Sequence, residues 1–220
     1  MKNLLLASVT ATCLAGFSGS AFAGVFVDAK DDIFLAGMAS VPLFPLAQTQ
    51  TAVPGNGAGL LPLAVPVTGG ATLHLTASGI ASCGIGCNPS GPAGNPQFGT
   101  SAIAAYGNVG AYTGSPGEGF QLLGVFNSGA TPWTPFIIGA GGTFTVPLGA
   151  TELYMGMPDG FSFQGPPGTY NDNSGGFTVT GVNVPEPSTW ALLGIALCSL
   201  AMVARQRVRA PVRPALSRAP

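Results

Sequence analysis

The sequence predicts an all-β domain, an antiparallel β-sandwich or jelly-roll, over residues 24–183. Three observations carry this expectation. Short β-prone runs are punctuated by Gly- and Pro-rich turns. Two of those runs alternate apolar and polar residues with period two. No helical periodicity of useful length appears between 24 and 184, and no internal repeat is visible.

Taken in order, Gly24 to Ala29 is the first candidate strand. The stretch 41–66 is Pro-rich and apolar without clear alternation, and reads as a long loop with room for one short strand. Ala71 to Ala77 places Leu73, Leu75 and Ala77 on one face and Thr72, His74 and Thr76 on the other. Gln121 to Phe126 is an apolar strand, and Gly142 to Val146 alternates again. Glu152 to Met157 and Gly176 to Val182 complete the set.

Both ends differ from this body. Residues 1–23 read as a secretory signal peptide: Lys2 gives a positive start, Leu4 to Leu14 an apolar run, and Ala21-Phe22-Ala23 a small-residue cleavage site. At the other end, Val184-Pro185-Glu186-Pro187-Ser188 precedes an apolar span, Thr189 to Ala204, and then Arg205, Arg207, Arg209, Arg213 and Arg218. As a helix the span reaches about 24 Å. That is short for a hydrocarbon core of about 30 Å. It suits a transient transmembrane anchor with its arginines left in the cytoplasm. Residues 184–220 together resemble the PEP-CTERM signal of Gram-negative bacteria, which exosortase-type transpeptidases process. That resemblance implies export through the secretion machinery to the cell envelope, surface or extracellular matrix. The chain would be membrane-anchored until its tail is removed, with Pro185, Glu186 and Pro187 as the sorting signal. A plain tail anchor is the competing reading.

The net charge of −1 hides a segregation. Between 24 and 184 Lys30 is the only cation, against Asp28, Asp31, Asp32, Glu118, Glu152, Asp159 and Asp172. Such a body lacks the basic face that nucleic acid requires. Oxygen-rich loops with few cations suit a hard cation such as calcium. They equally suit a surface kept soluble by uncharged polar residues.

Of the four cysteines, Cys13 belongs to the signal peptide and Cys198 to the apolar span. Cys83 and Cys87 remain, in Cys-Gly-Ile-Gly-Cys, outside the reducing cytosol. A disulfide is the expectation, with a C-x3-C metal site as the alternative. Catalytic signals are sparse. His74 is the one histidine and sits on a strand face. No G-x-S-x-G elbow occurs in the body and no phosphate loop anywhere. Glu118 and Glu152 could form a hydrolase carboxylate pair, though any set of acids would supply one. The expected protein is not an enzyme.

The most informative internal segment runs from Asp159 to Val179. Pro166-Pro167-Gly168 makes a tight turn, and Thr169 to Gly175 then packs side-chain oxygens into a few residues. Consecutive Asp and Asn side chains near backbone carbonyls are what calcium requires, although the spacing is not that of an EF-hand. A polar turn whose Asx side chains bond their own backbone explains the residues equally well.

The run from Pro167 to Val179 is similar to the calcium loop of the PA-I-like galactophilic lectins. Gly70 to Cys83 resembles the strand and turn carrying that family's other calcium ligand. The resemblance implies a small β-sandwich that binds sugar through calcium. It implies side-chain ligands at Asp172 and Asn173 and backbone ligands at Thr169 and Cys83. The family's Asp four residues before the loop threonine is Gly165 here, and Asp159 is the candidate replacement. The family's sugar-contacting histidine has no counterpart, since residues 88–119 contain no His. The expected function is therefore non-catalytic, calcium-dependent binding of exopolysaccharide or another glycan. The alternative is a structural, biofilm-associated surface protein without a sugar site.

Overall fold

The computed structural model describes residues 20–42, 57–84, 86–115 and 119–184. The expected signal-peptide residues 1–19, the Pro-Glu-Pro signal, the apolar span 189–204, the arginine tail and Glu118 lie outside the described residues. Among those described, the regular structure is all-β apart from short 3-10 turns. No described helix is long and apolar enough to cross a membrane.

Eleven strands run in order: β1 (Ser20–Asp28), β2 (Leu63–Pro66), β3 (Thr72–Ser82), β4 (Ala102–Ile103), β5 (Tyr112–Thr113), β6 (Leu123–Phe126), β7 (Phe136–Ile137), β8 (Gly141–Thr145), β9 (Glu152–Gly156), β10 (Gln164–Gly165) and β11 (Ser174–Val184). They form one sheet ordered β1-β11-β3-β8 and a second ordered β2-β9-β6-β7. Counting only these eight strands along the chain, the sheets read 1-8-3-6 and 2-7-4-5. Successive strands thus mostly alternate between sheets, as in a jelly-roll. All pairs within the two sheets are antiparallel. A small third sheet, β10-β4-β5, contains one parallel pair, Gln164–Gly165 beside Ala102–Ile103.

The alternation read in the sequence sets the inner face. Leu73 and Leu75 of β3 are buried while His74 and Thr76 are exposed. With Val27, Phe177 and Val179 they meet Val65, Leu153 and Met155 of the second sheet in the main core. Strand β6 is buried on both faces. Its Leu123 and Val125 pack on Ile33, Phe34 and Tyr112 in a second core beyond the sheet. This double burial explains its unbroken apolar sequence, where a one-sided strand would alternate. His74 is a cross-strand residue, its Nδ1 3.0 Å from Thr143 Oγ1.

Three boundaries differ from the sequence reading. β3 and β11 run to eleven residues each, because their pairing continues unbroken from Ser174–Ser82 to Val184–Thr72. The long loop gives way to β2 at Leu63, which pairs with β9. β1 begins at Ser20, upstream of Gly24, and its register shifts between Phe22 and Val25. The segment after that irregularity, Val25 to Asp28, is the part that belongs to residues 24 onward.

Candidate functional site

The β3–β11 register builds the site. The last pair is Ser82 with Ser174. One residue further on each strand stand Cys83 and Asn173, so the Cys-Gly-Ile-Gly-Cys loop and the Asn-Asp-Asn loop emerge side by side. Cys83 and Cys87 are joined by a disulfide, with their Cα atoms 5.6 Å apart. Neither sulfur is then a thiolate for a metal. Gly84 lies directly against the Asp172 carboxylate, and a side chain there would overlap it.

The second loop turns sharply. Thr169 is left-handed, at φ 68°, and opens a 3-10 turn over Tyr170–Asp172. Of the four non-glycine residues with positive φ among the described residues, three line one cleft: Ser162, Phe163 and Thr169. Such strained backbone persists only where its surroundings enforce it, and it clusters at functional sites. Gly165, at φ +80°, occupies a conformation that an aspartate would adopt only with strain.

The cleft holds about 240 Å³, with Cys83, Cys87, Asp159, Thr169 and Asp172 in its lining. Asn173 sits behind it, against the Asp159 carboxylate. The Asn173 side-chain amide donates to Ala29 O at 3.1 Å, which fixes which end of the amide is left over. Asp159 Oδ1 accepts from Gly160 N–H at 2.7 Å and from Thr169 Oγ1 at 3.0 Å. Three oxygens are buried without a donor: Asp159 Oδ2, Asp172 Oδ1 and Asn173 Oδ1. The five residues singled out as candidate ligands therefore gather in one place.

Charge accompanies this convergence. Burial pushes the Asp159 carboxyl up to about 7; the neighbouring Asn173 amide and hydrogen bonds from Gly160 and Thr169 pull it down, and the Asp172 charge adds to the rise. Burial also raises Asp172, against backbone hydrogen bonding and nearby Lys30. Two acids and an orphaned amide oxygen with no buried cation form an electron-rich pocket. Among the described residues no three His, Cys, Asp or Glu side chains stand together in a metal-binding group. The set is two carboxylates, one amide and nearby carbonyl-bearing backbone, which is oxygen chemistry suited to calcium rather than zinc.

A supporting layer lies beneath and is not legible as a motif. Tyr170 is fully buried. Its hydroxyl accepts from Asp159 N–H and lies within hydrogen-bond reach of Asp32 Oδ1 and Met157 O, all at 2.9 Å. Asp32 caps the turn at Ile33–Leu35 by accepting from Phe34 N–H. Burial pushes its carboxyl up to about 8, offset in part by hydrogen bonds from Phe34 and Tyr170 and aided by Asp159. In the cleft wall, the Phe98 and Phe163 rings meet tilted at 55° with centroids 4.4 Å apart, and Phe161 is 43% exposed at the rim. Glu152, one of the two candidate hydrolase carboxylates, is engaged with Tyr154 and Asn127, away from this cleft.

No curated protein matches the chain. Among solved structures it resembles the EclA N-terminal domain, a PllA-like lectin. The sequence identity is 17% and the TM-score 0.40, over 74% of this chain and 97% of that one. Residues 183–208 match the PEP-CTERM protein-sorting motif. The chain thus carries the sorting signal of an exported protein processed by an exosortase.

Proposed function

We propose that this exported protein is a non-catalytic, calcium-dependent carbohydrate-binding protein whose partner is exopolysaccharide. Asp159, Asp172 and Asn173 would hold the ion with their side-chain oxygens, helped by the carbonyls of Thr169 and Cys83. When bound, calcium supplies open coordination positions for vicinal sugar hydroxyls. The chain's own residues do the rest: they orient the oxygens, and Phe161 at the rim offers an apolar surface to the C–H face of a sugar.

The supporting observation is the trio of buried oxygens without donors. An unpartnered buried polar group costs about 1–3 kcal/mol. Two at the cleft, on Asp159 and Asp172, and one behind it on Asn173 form a group that a hard cation, with its 6–8 oxygen ligands, would satisfy. The structural alternative has one observation in its favour, the lack of any histidine in residues 88–119 to stand for the family's sugar contact.

Residues 24–184 are purified, calcium is titrated, and thermal unfolding is followed. Calcium should raise the midpoint in the wild type and leave Asp172→Ala unmoved. A wild type indifferent to calcium would sink the metal reading. A stable calcium complex that ignores every sugar on a glycan array would favour the structural alternative.

A further inference from the structure

A second cleft of about 640 Å³ lies across the adjoining edges of the two sheets, with Phe136 and Ile137 of β7 on one side and Thr143 to Thr145 of β8 on the other. It shares no lining residue with the acidic cleft. Its size falls in the range of roughly 300–1,000 Å³ usual for sites that bury a small ligand. Three rings run across it from sheet to sheet. Phe126 of β6 stacks on Phe136 at 5.0 Å and 18°, and Phe136 meets Phe144 at 5.1 Å and 44°. Trp133 joins the lining just before β7.

The lining discriminates among ligand classes. It contains no charged side chain. A charged ligand would give up its hydration with no countercharge to replace it. A polyanion would also meet a body with seven acids and one lysine. A purely apolar chain would cover the rings but would desolvate the hydroxyls of Ser128 and Thr134 without giving them partners. A sugar meets both demands. Its C–H faces lie on aromatic rings, and its hydroxyls exchange hydrogen bonds with serine and threonine. Cleft and partner are then matched in charge as well as in polarity, since both are neutral.

We propose that the cleft between β7 and β8 is a second, cation-independent site for a segment of neutral polysaccharide. It stands apart from the calcium site and does not depend on it. Two sites on one domain would let a single copy grip a polymer at two points, raising its avidity without new contacts at either.

The test uses the full chain, purified in detergent. Calorimetry in excess EGTA probes cellohexaose, laminarihexaose and mannohexaose, with an oligogalacturonate and a dodecyl maltoside-free alkyl alcohol as controls. At least one neutral hexasaccharide should bind in EGTA, and bind Asp172→Ala equally well. Exposed lining residues are then charged, in Thr145→Glu and Ile137→Glu, which should weaken that binding at least tenfold. Trp133→Phe should remove the accompanying change in tryptophan fluorescence. No neutral hexasaccharide binding to the wild type in EGTA overturns the proposal, whatever the variants do. So does binding that survives both charge substitutions, or a preference for the oligogalacturonate or the alkyl alcohol. Calcium-dependent binding that fails while EGTA-resistant binding persists would remove the first site and leave this one.

Discussion

Replacing Tyr170 with Phe isolates the layer beneath the acidic cleft. The ring is fully buried and its packing is retained, so the substitution removes one oxygen and creates almost no cavity. It strips the Asp159 N–H of its acceptor at 2.9 Å and withdraws the hydroxyl near Asp32 Oδ1. Asp32 keeps its bond from Phe34 N–H, so the new orphan is the Asp159 amide. Leaving a buried donor unpaired costs about 1–3 kcal/mol. At roughly 2–4 °C per kcal/mol for a domain of this size, the melting midpoint should fall by about 2–12 °C. Because that amide anchors the residue carrying a candidate ligand, calcium should also stabilise the variant less than the wild type. Circular-dichroism melts with and without calcium read both effects. A variant melting within about 1 °C of wild type, with an unchanged calcium increment, would refute the claim that Tyr170 holds Asp159 in place.

Two further expectations follow from neighbouring groups. Reducing the Cys83–Cys87 disulfide, or the pair Cys83→Ser and Cys87→Ser, frees a loop of sequence separation 4. The chain-entropy cost of so short a loop is about 2 kcal/mol. A lower midpoint in calorimetry and weaker calcium binding are both expected, since Cys83 begins the segment that contacts Asp172. The pH dependence concerns Asp159 and Asp32, raised from 3.8 to about 7 and about 8 respectively by burial. Between pH 4 and 8 the folded state retains protons that the unfolded chain has released. Stability therefore falls as pH rises through that window and levels off on either side. Urea unfolding in EGTA from pH 4 to 9 measures the slope; calcium should flatten it, because a cation competes with those protons.

The fold was legible where one face of a strand is buried. Leu73 and Leu75 against His74 and Thr76 announce β3, because period two maps directly onto in and out. It was less legible at β2 and at the strand ends. Leu63–Pro66 owes its strand character to pairing with β9, which no local pattern encodes. The extension of β3 to Ser82 likewise comes from its long partner β11. At the site, Asp172 and Asn173 stood out as consecutive Asx residues. Asp159 entered only as a substitute for a carboxylate expected at Gly165, whose backbone is left-handed. Asp32 and Tyr170 carried no motif. They matter through a contact spanning 138 residues of sequence, and neither hydropathy nor spacing reports such a contact.

Strand β11 gives the molecule a direction. It begins at Ser174, next to the oxygen cluster, and reaches Val184, one residue past the start of the sorting motif at 183. Ten residues of extended chain separate Asn173 from Asn183, about 34 Å at 3.4 Å each. The acidic cleft thus stands at the opposite end of the sheet from the point where the sorting sequence begins. β1 is antiparallel to β11, so Ser20 pairs with Asn183 and Phe22 with Gly181 at that same end. Signal-peptide cleavage after Ala23 would remove those pairs and keep Val25 to Asp28 paired with Val179 to Gly176. The start of the sorting motif would then be held on one side only, by β3, through Asn183–Leu73 and Val184–Thr72. Loss of the N-terminal segment would free that edge of β11 from Gly181 to Asn183 while leaving the pairs nearest the cleft intact. The strand pairs next to the acidic cleft, Asp28–Gly176 and Ser82–Ser174, do not depend on Ser20 to Phe22.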